Sequence, residues 1–348
     1  CQLWQGRTTS VDFKILSSFL CTLSGKLVFI IIILIFLGAT TGNLMTITII
    51  VMEPRLHFPM YFFIGNLSLL DLGYISVTVP KSVVNYLTGS NFISLKECAA
   101  QTFLYLLFGS TEFFFLVVMS YDRYVAICHP LHYGLTMTPR LCTQVTGGSW
   151  AVGLIYSAIH TGTIFRLPFT ESNVIHQYFC DIPQVMSISS PAVQFSETVT
   201  LAVSSCLVLL SFVILFASYV NIFSAVLQMR SVEARNKALS TCSPQIATFI
   251  LVIISGLFAC LGPTSSESTI YTLLTAMFYT MVPPFINPII FSLRNSEIKR
   301  ALGRMFNIQR TKTKNYFYVM LNSVYNYLLS FQVFVYFILP ITFIYFLI

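Results

Sequence analysis

Met119-Ser120-Tyr121-Asp122-Arg123-Tyr124-Val125-Ala126-Ile127-Cys128 sets a charged pair at the end of an apolar run that begins at Thr102. Ionisable groups at a membrane edge are costly to place without a reason. Taken alone, Asp122-Arg123 has two readings. One is an Arg that merely reaches for lipid headgroups, and the other is a pair retained for function. A three-letter motif does not separate them, but its surroundings do.

The 348 residues are 56% hydrophobic and only 9% charged, against roughly 25% charged in a soluble domain. That composition marks an integral membrane protein. The net charge of +7 therefore needs no nucleic-acid partner, because in a membrane chain it reports which loops carry Lys and Arg. A helix of about 20 apolar residues crosses the hydrocarbon layer, and seven segments qualify, near 27–51, 60–80, 98–126, 141–164, 198–227, 240–261 and 269–293. Lipid cannot satisfy backbone polar groups, so the spans are helices.

Seven spans put the two ends of this core on opposite sides. With residues 1–26 outside, the inner loops hold Arg55, Arg123, Arg140, Arg230, Arg235 and Lys237. The inner tail adds Arg294, Lys299, Arg300, Arg304, Arg310, Lys312 and Lys314, thirteen of the 19 basic residues in all. The positive-inside rule thus places Asp122-Arg123 at the cytoplasmic face. Residues 294–314 form an inner basic tail, in which Ile298, Leu302, Met305 and Phe306 alternate with Lys299, Arg300 and Arg304. This is the pattern of a short amphipathic helix on the inner leaflet. The chain begins at Cys1 and not at Met, so either an incomplete start or a gene-model artefact is expected. Residues 315–348 are aromatic and β-branched, and are read either as an eighth hydrophobic segment or as translated non-coding sequence.

Polar residues inside spans are functional hypotheses. Asp71 and Glu112, with Asn43 and Asn287, are expected to meet at mid-depth as a pocket for a small cation or a shared proton. The alternative is a hydrogen-bond network that joins helices. Cys98 and Cys180 both fall on the oxidising outer side and are expected to bridge. His176, Cys180 and Asp181 also admit a metal reading, which an oxidised Cys weakens. Pro283, Pro284 and Pro288 interrupt the last span. No nucleophile elbow, phosphate loop or His-Glu-x-x-His zinc motif occurs, and the chain is read as no enzyme.

The chain resembles the vertebrate olfactory receptors, a branch of the rhodopsin-like G-protein-coupled receptors. The matching residues run in order: Gly42-Asn43, Leu56-His57-Phe58-Pro59-Met60-Tyr61-Phe62-Phe63, Leu67-Ser68-Leu69-Leu70-Asp71, the opening stretch continued by His129-Pro130-Leu131-His132-Tyr133, Ser218-Tyr219, Lys237-Ala238-Leu239-Ser240-Thr241-Cys242, and Asn287-Pro288-Ile289-Ile290-Phe291-Ser292-Leu293-Arg294-Asn295. The resemblance implies an all-α membrane protein, a seven-transmembrane helix bundle with a short amphipathic eighth helix. It implies a switch of Asp122, Arg123, Tyr124 and Tyr219, a sodium or proton site at Asp71 and Glu112, and a Cys98–Cys180 disulfide. The implied partners are a small volatile odorant, membrane lipids and a stimulatory, olfactory-type heterotrimeric G protein. The implied location is the plasma membrane of olfactory cilia, with no cofactor other than sodium.

Counting outward from Arg123, Tyr105, Leu106, Gly109 and Ser110 should face the interior, joined by Ile253, Leu257 and Cys260 from the sixth span. Val203, Ser204, Leu207, Met277 and Thr280 complete the expected pocket. It is mainly apolar, which suits a small neutral molecule. With no acid in the outer half of the third span and no Lys between Thr269 and Leu293, amine and retinal ligands are set aside.

The departures from the family are Thr170 and Ser190 at two loop Cys positions, Gln245 for His, Ile253 for Tyr, Gly262 for a basic residue, Phe291 for Tyr, Ser120 for Ala, and the missing amino-terminal sequon. They leave the fold reading untouched and bear on signalling and delivery. Two rivals follow: a decayed receptor that does not signal, and a channel or transporter.

Overall fold

The computed structural model describes residues 12–15, 23–89, 92–165, 174–175, 177–261 and 270–309. Seven long helices carry it: α1 (Leu23–Met52), α2 (Pro59–Thr88), α3 (Leu95–Cys128), α5 (Pro139–Ile164), α7 (Pro191–Gln228), α8 (Val232–Leu261) and α9 (Ile270–Arg294). Between them lie the short helices α4 (Tyr133–Thr136) and α6 (Ile182–Ser187), and α10 (Ser296–Gln309) follows α9. Six of the seven are long and apolar enough to cross a membrane. The exception is α5, whose sequence is richer in Gly, Ser and Thr, residues suited to packing against other helices. Calls for lipid around the bundle come from α7, where Phe195, Leu210, Val213, Phe216 and Phe223 are all exposed.

Local chemistry sets the helix ends. Pro59 and Pro139 occupy first helical positions, where no N–H is needed. Gly89, in the left-handed conformation with φ 66°, ends α2. At the start of α3, Ser94 Oγ accepts from the Glu97 N–H (3.2 Å) and Glu97 Oε2 accepts from the Ser94 N–H (2.9 Å), a reciprocal cap. The Lys81 ammonium then donates to Glu97 Oε1 at 2.7 Å and ties α2 to this cap.

α3 is the central post, in contact with α2, α5, α7 and α8. Its buried face carries Leu104, Leu107, Phe108, Phe115 and Met119, packed with Phe63, Leu67 and Leu70 of α2 and Trp150 of α5. Close approach needs small residues. A Cβ on Gly153 would collide with Thr111 and come within 3.4 Å of the Leu107 carbonyl oxygen, so α5 sits against the backbone of α3.

Several expected boundaries move. The second span continues past Pro80 to Thr88, because one proline removes a single ladder bond and neighbours can take up the freed groups. The fifth starts at Pro191 and not near 198, which draws Glu197 out of the loop and into the helix. The all-α reading also gains a three-stranded sheet at the disulfide end, in the order β2 (Phe92–Ser94), β1 (Asp12–Ile15), β3 (Val174–Ile175). Asp12 pairs opposite Ser94, and Ile15 beside Ile175. Most of residues 1–26, together with Thr170, His176, Gly262, the tail beyond Gln309 with its hydrophobic extension 315–348, and the Cys260 side chain, lie outside the described residues.

Candidate functional site

At one end of α3, Asp122 is fully buried and Arg123 nearly so. Arg123 Nε donates to Asp122 Oδ2 at 3.0 Å, and a second guanidinium nitrogen reaches the same oxygen. The other carboxylate oxygen accepts from the Tyr133 hydroxyl at 2.8 Å. Burial and the Asp122 carboxylate push the Tyr133 phenol above its usual range, so it stays a donor. Tyr133 sits in α4 and was legible only as a motif residue, not as a partner of Asp122.

Tyr219 of α7 and Tyr124 of α3 both pack against Ile222, Val226 and Cys242. The Tyr219 hydroxyl donates to Gln245 Oε1 of α8 at 3.3 Å. Tyr124 instead meets His129 Nε2 at 3.2 Å. The same end is closed by α10, where Arg304 pairs with Glu53 at 3.0 Å, and by Asn295 just before it, which accepts from the Tyr61 hydroxyl at 3.3 Å.

At mid-bundle, Asn287 Nδ2 lies 3.2 and 3.1 Å from the two oxygens of Asp71 and 3.3 Å from Glu112 Oε1. Three of the four expected residues therefore meet. Asn43 is engaged elsewhere: its Nδ2 donates to the carbonyls of Pro284 (2.8 Å) and Ala39 (3.0 Å). The reason is Pro288, which has no N–H and leaves the Pro284 carbonyl four residues earlier without its ladder partner. Gly42 lets α1 approach, since a Cβ there would stand 3.1 Å from Pro288.

At the opposite end Cys98 is bonded to Cys180, closing a loop of 82 residues. Gln101 of α3 anchors the joint from within. Its Oε1 accepts from the Cys180 N–H (2.8 Å), and its Nε2 donates to the Val77 carbonyl (2.9 Å) in the turn that Pro80 disturbs. The chain before Cys180 then turns inward. The Phe179 ring centroid lies 5.4 Å from that of Tyr105 and 6.1 Å from that of Tyr279, and the Tyr178 hydroxyl bonds Thr280. Of the expected pocket residues, Tyr105, Met277 and Thr280 are gathered around this plug. Leu106 is buried and Ile253 half-buried. Gly109 faces Tyr74, and the Ser110 hydroxyl bonds its own helix at Leu107. Three expectations of an inward orientation fail: Val203, Leu207 and Leu257 are 61%, 58% and 52% exposed. On α7, burial follows Glu197, Ser204, Leu215, Ser218 and Ile222, and uniformly apolar stretches gave no period by which to fix the rotation.

Asp181 caps α6 through the Ile182 N–H (2.8 Å) and accepts from the Tyr279 hydroxyl. Burial raises its carboxyl to about 6, against the partial relief of those two bonds. Between its ordinary value near 3.8 and about 6, the folded state binds more protons than the unfolded one, so stability from this group is present below that window and lost as pH rises through it. The purified receptor should become more stable to thermal unfolding on acidification from neutral pH to 5, by about 1 kcal/mol from this group. Asp181→Asn should flatten that slope. An unchanged slope in the variant refutes the assignment.

The profile for the olfactory receptor family matches residues 29–309. Human olfactory receptor 14I1 is 52% identical to the chain over 274 residues, covering 79% of the chain and 88% of the relative. Human olfactory receptor 14L1 is 43% identical over 271 residues (78% and 83%), and human olfactory receptor 14A16 is 42% identical over 283 residues (81% and 91%).

Proposed function

The chain belongs to the olfactory receptor family, and on that premise we propose that it is an odorant receptor that binds a small, mostly apolar volatile molecule inside the bundle and activates a stimulatory, olfactory-type G protein. It is a multi-pass membrane protein and not an enzyme. The plasma membrane of sensory cilia is the expected site of action.

The observation that carries the coupling half is the lock of Arg123, Asp122 and Tyr133. A buried Arg held by a buried carboxylate is a group kept from other partners. Its release would turn a guanidinium with five donors toward the space between α3, α7 and α8. Tyr219, held here by Gln245, lines that route. Odorant binding acts only through its difference in affinity between the locked and released arrangements.

The polar core tunes the same equilibrium. Asp71 and Glu112 with Asn287 offer hard oxygen donors, and Asn287 Oδ1 is buried with no hydrogen-bond partner among the described residues. That set fits a sodium ion or a shared proton, either of which supplies positive charge between two carboxylates. Asp71, Glu112 and Asn287 would hold it, drawing α2, α3 and α9 together.

The test is a cyclic AMP assay on surface-expressed receptor against a broad odorant panel that includes 2-alkanones and 2-alkanols. Concentration-dependent responses are expected. A receptor that reaches the surface and answers nothing favours the decayed-receptor reading.

A further inference from the structure

His160 of α5, held between Glu197 and Ser204 of α7, is buried and joins those two helices. A second charged cluster lies at the surface, where the turn after α1 meets α10. Beyond the end of α1, the Glu53 N–H still donates to the Ile49 carbonyl at 3.0 Å. Pro54–Leu56 then make one 3-10 turn that buries Leu56 and leaves Arg55 exposed. α10 buries Ile298 and Ala301 in the same apolar cluster as Ile49 and Leu56. Glu297, Arg300 and Arg304, spaced three and four residues apart, follow one flank of that buried face. This flank meets the turn: Arg304 Nε and a terminal nitrogen both donate to Glu53 Oε2, at 3.2 and 3.0 Å. Arg300 pairs with Glu297 at 3.0 Å, and Arg55 Nε stands 4.0 Å from Glu53 Oε1.

The corner therefore holds three guanidiniums against two carboxylates. Arg55 is beyond hydrogen-bond reach of Glu53, and its side chain is 74% exposed. Arg304 has five N–H donors and spends only part of them on Glu53. A surplus cation with free donors favours an added anion, and planar guanidinium forks suit phosphate or carboxylate oxygens. Depth decides which anion is at hand. α1 is a span that runs to Met52, and loop charge puts that end at the cytoplasmic face. Glu53, Arg55 and Arg304 thus stand at the level of the inner headgroups, in the leaflet that carries the anionic lipids. Phe58, 61% exposed, adds an apolar ring at the end of the same turn, which suits the boundary between headgroups and acyl chains.

We propose that this corner binds the headgroup of an anionic phospholipid of the inner leaflet, with Arg55, Arg300 and Arg304 receiving its negatively charged oxygens. A lipid seated there joins the α1–α2 turn to α10 from the membrane side, as Glu53 and Arg304 do within the protein. Lys299 falls on the other side of the buried face of α10 and takes no part. The site is independent of the odorant and of the G protein.

The test places the full-length receptor in phosphatidylcholine bilayers with a trace of phosphatidylserine whose acyl chain carries a photoreactive group near the glycerol. Peptide mapping after illumination should find adducts at residues 53–58 and 297–304, with far fewer from the matching phosphatidylcholine probe. Arg55→Gln should lower the phosphatidylserine adducts roughly fivefold, the worth of one cation at a membrane surface. Arg55 is exposed, so this variant tests the site with the Glu53–Arg304 pair intact. Arg55→Gln combined with Arg304→Gln should lower them further. Lys299→Gln removes the same charge from the other side of α10 and should change them little. Equal labelling by the two lipids overturns the proposal, as do adducts that survive Arg55→Gln. A loss in Lys299→Gln as large as in Arg55→Gln shows a diffuse surface charge and overturns it too. Protection by soluble glycerophosphoserine as good as that by unlabelled phosphatidylserine points to a site for free phosphates, and likewise sinks the lipid assignment.

Discussion

Arg123→Ala is expected to reduce odorant-stimulated cyclic AMP to the unstimulated level while the receptor still reaches the cell surface. The substitution removes the one group at this end, among the described residues, that is both cationic and held by a buried carboxylate. It also leaves Asp122 buried with Tyr133 as its remaining side-chain partner, an arrangement that can cost roughly 3–5 kcal/mol. Surface staining must therefore accompany the signal. Asp122→Asn separates the two effects. An amide still accepts from Tyr133 but holds the guanidinium less tightly, so the locked arrangement loses stability while Arg123 is kept. Each loss of about 1.4 kcal/mol shifts such an equilibrium roughly tenfold, and basal cyclic AMP should rise. Normal stimulation of the Arg123→Ala receptor would sink the switch assignment.

Breaking the Cys98–Cys180 bond should have the second large effect. Removing a native disulfide costs about 2–5 kcal/mol, and here the bond fastens a segment that packs into the disulfide end of the bundle. Tyr178 to Thr280, Asp181 to Tyr279 and the Phe179 ring among Tyr105 and Tyr279 all depend on the placement of Cys180. Gln101 still holds the Cys180 N–H, so partial docking is expected to survive. Cys98→Ser and Cys180→Ser should each lower surface expression and raise half-maximal odorant concentrations. The double variant should be no worse than either single, because one bond is lost in all three. A double variant clearly worse than the singles would show that the two cysteines act separately.

What could be read from residues followed from solvation. Apolar stretches of bilayer length must be helices whatever their partners, because lipid satisfies no backbone group; of the seven expected, six meet that measure and α5 does not. Loop charge orients them, and proline and glycine mark their ends. Asp71, Glu112 and Asn287 stood out because an ionisable or amide group in an apolar run needs a reason. The same rule missed Glu197, which was counted as loop when the fifth span was started near 198.

Rotation and partnership were not legible. Val203, Leu207 and Leu257 were expected to face inward, yet in a lipid-embedded helix both faces are apolar and periodicity says little about which looks in. Asn43 was expected in the polar core. Only the meeting of α1 with α9 shows it serving the carbonyl that Pro288 strands. Tyr133 on Asp122, and His160 between Glu197 and Ser204, join residues that lie 11, 37 and 44 positions apart. The sequence by itself determined that the chain crosses a membrane as a helix bundle with a charged pair at one end, because those are properties of single segments in lipid. The tertiary structure alone decided which buried polar groups satisfy one another, because a hydrogen bond in that medium depends on which helix stands opposite and on which face it presents.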